Sequence, residues 1–108
     1  MDQRITDILK RLKQALEDAG IRVHSLVLFG SHAAGRAGKD SDIDVAVLSA
    51  DFEDMDICAR QEAVGRALAR ARVMDPVEVL AYTPQEYHAS KRGTFLHDEI
   101  NAKGVAVV

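Results

Sequence analysis

The sequence predicts an α+β (mixed α/β) domain, because the period of its apolar residues switches between helical and strand-like along the chain. Three observations carry this expectation. Near the N-terminus Ile5, Ile8, Leu9, Leu12, Ala15, Leu16 and Ala19 recur at three- and four-residue steps. Two short apolar runs, Val23 to Phe29 and Ile43 to Leu48, flank a glycine-rich connection, and a third run, Val73 to Ala81, is β-branched and alternating. The 108 residues, 47% of them apolar, suffice for one core without staples, so residues 1–108 are expected to form a single domain.

Each element has its own signal. The first helix stops at Gly20, a residue suited to the left-handed turn that closes many helices. The first strand then runs to Gly30 and reads as largely buried. Residues 30–41, with Gly30, Gly35 and Gly38, form a loop before the second strand. Beyond it Ile57, Gln61, Val64, Leu68 and Ala71 fall on one helical face, with Asp54 or Asp56 as the cap of a second helix. Pro76 marks the third strand as an edge strand or places a strand start there. Thr83-Pro84-Gln85-Glu86 is a helix-start signature, and an apolar face through Phe95, Leu96 and Ile100 extends the third helix to Lys103. The tail Val105 to Val108 is expected to add a short edge strand or to meet a partner.

Charge and cysteine content narrow the function classes. The formal net charge is −3 and basic residues alternate with acidic ones, which disfavours direct nucleic-acid binding. No stretch has membrane-spanning length, and the N-terminus lacks a signal-peptide pattern. Cys58 is the only cysteine and has no internal disulfide partner, as expected in the cytoplasm. His24, His32, His88 and His97 lack zinc-ligand spacing and read as surface or loop histidines, His32 being a bystander beside the informative segment.

That segment runs from Phe29 to Val47. It places Gly30-Ser31 at the end of one strand and Asp42-Ile43-Asp44 at the start of the next. Side chains two apart on a strand share a face, so the Asp42 and Asp44 carboxylates converge. Such a pair repels itself unless one member protonates or a cation neutralises both, and hard oxygen donors select Mg²⁺ or Mn²⁺. Magnesium is usually held by one or two carboxylates plus substrate phosphates, so a nucleoside triphosphate completes the expected site. Gly30 allows a sharp turn and close approach, while Ser31 offers a hydroxyl and a backbone N–H to phosphate; a short helix opening at Ser31 would add its dipole. A third carboxylate serves a second metal. Glu78, between Val77 and Val79, is the candidate, with Asp75 as the alternative.

The Gly-Ser turn, ten intervening residues and Asp-x-Asp before an apolar strand resemble the DNA polymerase β-like nucleotidyltransferase superfamily, and the small size resembles its minimal nucleotidyltransferase group. The resemblance implies a nucleotidyltransferase fold, a small mixed β-sheet flanked by helices. It implies Asp42, Asp44 and Glu78 as catalytic and metal-binding residues, with Mg²⁺ (or Mn²⁺) as cofactor and ATP as co-substrate. Gly30 and Ser31 would meet the triphosphate. His32 and Ala34 stand where relatives often carry arginine, which leaves Arg36 and Lys39 to meet phosphate charge, and Glu78 replaces the usual aspartate.

Larger relatives present the acceptor on a second helical domain that this chain lacks. The resemblance therefore implies a partner polypeptide: a HEPN-domain toxin, in a hetero-oligomer, to which this chain as antitoxin attaches AMP. The alternative is a catalytically weak or inactive nucleotide-binding module that neutralises a HEPN partner by contact.

Overall fold

The computed structural model describes residues 3–38 and 42–107. Helix α1 (Gln3–Asp18) buries Ile5, Ile8, Leu9, Leu12, Ala15 and Leu16 on the stripe that the sequence period marks, while Ala19 lies past its end and is exposed. The chain then reverses: Gly20 N–H donates to the Glu17 carbonyl at 3.0 Å and Ile21 N–H to the Leu16 carbonyl at 2.9 Å. These bonds satisfy carbonyls that the helix leaves unpaired.

Four strands form one mixed sheet in the order β3-β2-β1-β4. Strand β1 (Ser25–Phe29) runs antiparallel to β2 (Ile43–Leu48), β2 is parallel to β3 (Val77–Tyr82), and β4 (Val105–Ala106) is antiparallel to β1. Strands β1 and β3 start later than the apolar runs suggest. Val23 still packs against the core, and His24 N–H already bonds the Leu48 carbonyl at 2.7 Å. Pro76 has no N–H for a ladder; its carbonyl accepts from Ile43 N–H at 2.8 Å, and the strand begins at the next residue. The expected edge position of β3 and the added strand at the C-terminus are both present; Val108 lies outside the described residues.

Alternation divides the sheet into two faces. Leu26, Leu28, Ile43, Val45, Val47, Val79 and Ala81 pack under α1, α2 and Phe52. Val27, Phe29, Ala46, Leu48 and Ile100 form a smaller cluster on the other side, flanked by partly buried Leu80, Tyr82, Tyr87 and Leu96. By the same alternation Asp44 and Glu78 belong to this second face, at the end of the sheet where Glu78 is exposed and Asp44 half-buried.

Helix α2 (Ile57–Arg70) is capped by Asp56, whose carboxylate accepts from Ala59 N–H at 2.7 Å, but it buries a different stripe from the expected one. Its buried residues are Arg60, Val64 and Ala67; Gln61 and Ala71 are exposed, and Ile57 is 76% exposed. The helix is rotated because it buries a cation. Arg60 donates to the carbonyls of Phe52 (3.1 Å), Met55 (3.0 Å) and Ala81 (3.2 Å), and pairs with both oxygens of Glu86 at 2.8 and 3.2 Å. Its guanidinium also stands over the Phe52 ring, with the short 3₁₀ turn Ala50–Phe52 placing that ring in the core. A pattern search for apolar residues misses this, since the residue that sets the rotation is charged. Arg60 and Gln61 further occupy the Ala81 and Val79 carbonyls on the outer edge of β3, blunting a sheet edge that would otherwise pair with another strand.

Helix α3 (Pro84–His88) starts as expected, with a Thr83–Glu86 capping box and Pro84 in the first turn. It does not reach Lys103. The Ser90 hydroxyl and the Asn101 amide both donate to the Tyr87 carbonyl at 2.8 Å, and Gly93 adopts φ +91, which a helix cannot contain. The chain resumes as a π-helical segment, Leu96–Asn101, that lays Ile100 onto the second sheet face.

The Arg60 hub predicts its own test. Arg60→Met removes the one cation that satisfies three carbonyls and Glu86, and urea denaturation is expected to show a loss of about 3 kcal/mol. Hydrogen bonds from Arg60, then from Thr83, hold the Glu86 carboxyl below its ordinary range despite partial burial. A depressed folded-state pKa contributes stability above the ordinary glutamate range that is lost as pH falls through the folded value. The variant is therefore expected to show a flatter acid limb in stability against pH; an unchanged limb contradicts this role.

Candidate functional site

The β1–β2 pairing brings the two halves of the informative segment together. Phe29 lies opposite Asp44 in the antiparallel ladder, and Asp44 lies opposite Glu78 in the parallel one. Residue 44 thus sits mid-sheet between the Gly-Ser turn and the third carboxylate. Gly30 adopts φ +74, and a Cβ built on it would overlap the Asp44 carboxylate. Glycine is required here twice over, by the backbone angle and by the acid packed against it. The two motifs are in this sense one structural unit.

The turn itself is compact. Ala34 N–H donates to the Gly30 carbonyl at 3.1 Å and Arg36 N–H to the Ser31 carbonyl at 2.9 Å. Ser31 and His32 are half-buried, and Arg36 is exposed. No helix opens at Ser31; residues 30–35 make turns only, so the condition for a helix dipole at this point is not met. Lys39 lies outside the described residues.

The electrostatics identify Asp44 as the focus. Its carboxyl is held above the ordinary aspartate range, chiefly by desolvation, then by the charges of Glu78 and Asp42 and by a hydrogen bond with Glu78; His32 acts in the opposite direction. Asp42 and Glu78 are exposed at either side of it. Asp75, the other candidate for the third carboxylate, pairs with Arg11 of α1 at 2.8 Å and is thereby committed elsewhere. His32, read from sequence as a bystander, is close enough to affect Asp44. The signal for it was positional: the Gly-Ser turn that delivers Ser31 necessarily delivers its neighbour.

The donor set fits a hard divalent ion that is shared with a ligand. Among the described residues no group of three or more His, Cys, Asp or Glu side chains could hold a metal unaided. Two or three mutually repelling carboxylates open to solvent suit an ion that keeps waters and takes phosphate oxygens, as Mg²⁺ does, better than a closed protein cage. Cavity size does not mark this place. A groove of about 660 Å³ lies between the turn that follows α1 and helix α2, lined by Ile21, Asp51, Met55, Ala63 and Ala67. It is at the Ser25/Leu48 end of the strands, away from Phe29 and Asp44. Among the described residues no helix is long and apolar enough to cross a membrane.

Comparison with known proteins gives a consistent result. Residues 6–99 match the family model of the nucleotidyltransferase domain. No curated protein matches the chain significantly. A structure from Sulfolobus solfataricus, provisionally described as a nucleotidyltransferase, superimposes with a TM-score of 0.69 at 18% identity, covering 95% of this chain and 78% of its own; at that identity the likeness speaks for the fold. A toxin–antitoxin structure determined with AMP-PNP superimposes with a TM-score of 0.57 at 25% identity, covering 90% of this chain and 69% of its own.

The raised Asp44 pKa has a thermodynamic consequence. A carboxyl whose folded-state pKa lies above its unfolded value destabilises the fold once pH has risen through both, so the penalty is present at neutral pH and absent in acid. Asp44→Asn is expected to melt higher than the parent without metal at pH 7, and the advantage should vanish below the ordinary aspartate range. Thermal melts at the two pH values check this; an equal or lower melting temperature at pH 7 contradicts it.

Proposed function

The chain belongs to the nucleotidyltransferase-domain family, and on that premise we propose that it transfers AMP from ATP to a partner protein. The single observation that carries the reading is Asp44 seated against Gly30 and beside Glu78. Triphosphate and metal would meet where that contact is made. Asp42, Asp44 and Glu78 would hold Mg²⁺ (or Mn²⁺), which when bound neutralises charge developing on the phosphate oxygens. The bare turn at Gly30 lets phosphate approach the backbone, Ser31 contributes its hydroxyl, and Arg36 and Lys39 offset the triphosphate charge. A hydroxyl of the acceptor attacks the α-phosphorus; the bond to the β-phosphate breaks, pyrophosphate leaves, and the hydroxyl proton passes to Glu78.

The partner is a HEPN-domain toxin, for which this chain is the antitoxin in a hetero-oligomer. Support comes from the toxin–antitoxin structure with AMP-PNP and from the sequence resemblance to minimal nucleotidyltransferases. The reaction belongs in the cytoplasm, where the exposed thiol of Cys58 stays reduced. Direct nucleic-acid binding and membrane association form no part of the reading.

A second reading rests on His32, Ala34 and Glu78, which depart from the family pattern: a nucleotide-binding module that neutralises its partner by contact, with little or no transfer. One experiment separates the two. The protein is incubated with the protein encoded beside it, ATP and Mg²⁺, and the partner is weighed by intact mass spectrometry. Transfer predicts one or more AMP adducts, lost in Asp44→Asn while the complex still forms. An unmodified partner that is nonetheless neutralised, equally by parent and variant, rejects transfer and leaves contact.

A further inference from the structure

Phe95 stands out once the site is located. It is 55% exposed, and its ring meets that of Phe29 edge to face, with centroids 5.9 Å apart and planes at 83°. Phe29 is 6% exposed, immediately precedes Gly30 and lies opposite Asp44 in the ladder. A lone exposed phenylalanine on a protein surface needs no explanation. This one is fixed by a buried ring whose neighbours along and across the sheet are the turn and the central acid.

The backbone delivers Phe95 deliberately. The break after α3, with Gly93 at φ +91, ends one helix, and Phe95 begins the π-helical segment Leu96–Asn101. Short π-helical stretches recur at functional sites because they re-aim side chains that a regular helix would bury. Ile100 and Leu96 of the same segment pack on the sheet, so the segment is anchored while Phe95 is left outward at its start.

We propose that the exposed ring of Phe95, backed by Phe29, is the surface on which the base of the bound nucleotide stacks. This rests on the nucleotide reading above and adds a residue that neither the Gly-Ser turn nor the carboxylates supply. A nucleotide held by its phosphates beside Gly30 and Asp44 extends its base beyond them by roughly the span of a ribose, and the exposed aromatic face packed on Phe29, the residue before Gly30, offers stacking to any base. Stacking strength follows ring area, so a purine is favoured over a pyrimidine.

The test separates base from phosphate. Binding of Mg²⁺ with AMP-PNP and of Mg²⁺ with inorganic tripolyphosphate is measured for the parent, Phe95→Ala and Phe95→Trp. The inference expects Phe95→Ala to weaken AMP-PNP about tenfold while leaving tripolyphosphate unchanged, and Phe95→Trp to retain AMP-PNP affinity. The chain contains no tryptophan, so Phe95→Trp also reports directly: its fluorescence should change with AMP-PNP and not with tripolyphosphate. Equal weakening of both ligands, or no weakening of either, overturns the inference. A parent that binds both ligands with Phe95→Ala unchanged removes only the base platform; a parent that binds neither removes the nucleotide reading as well.

Discussion

The packing of the Asp44 carboxylate against the Cα of Gly30 is the constraint around which the rest of this molecule is arranged. An acid in mid-sheet, opposite Phe29 on one side and Glu78 on the other, is tolerable because glycine leaves space and the neighbouring Asp42 and Glu78 are exposed. The covered face supplies the stability. Helices α1 and α2 close over Leu26, Leu28, Val45 and Val47, and the ladder beneath them sets Asp44 opposite Phe29 and Glu78. Packing beneath the sheet thus holds Asp44 beside Glu78 despite their mutual repulsion.

A second polar hub serves the scaffold. Arg60 ties the 3₁₀ turn, α2, β3 and α3 through three carbonyls and Glu86, at the opposite end of β3 from Glu78. Its neighbour Gln61 takes the Val79 carbonyl, so the outer edge of the strand that carries Glu78 is covered by side chains and not left as a template for another strand.

The proximity of Gly30, Asp44 and Glu78 was legible in the sequence because its signals are local. Glycine at a positive φ, alternation along β2 and a charged residue between valines in β3 are each properties of a few adjacent residues, and they were enough to name Gly30, Asp44 and Glu78. The fold was legible to the same extent: α1, β2, the Asp56 cap and the Thr83–Glu86 box lie where periodicity and capping place them. What escaped depends on contacts distant in sequence. The rotation of α2 is set by a buried arginine that reaches Glu86, twenty-six positions away, and apolar periodicity assigned the wrong stripe. The break after α3 is set by Asn101 reaching back to Tyr87, and the helical pattern through Phe95, Leu96 and Ile100 concealed it. The commitment of Asp75 to Arg11 likewise required the approach of α1 to the segment before β3 to be known.

If turn and carboxylates form a single site, metal and triphosphate depend on each other there. Calorimetric titration of Mn²⁺ with and without saturating AMP-PNP tests it most directly. The account predicts weak Mn²⁺ binding alone, strengthened by the nucleotide by the same factor as Mn²⁺ strengthens the nucleotide, since such coupling is reciprocal. Metal binding that is indifferent to the nucleotide would contradict it.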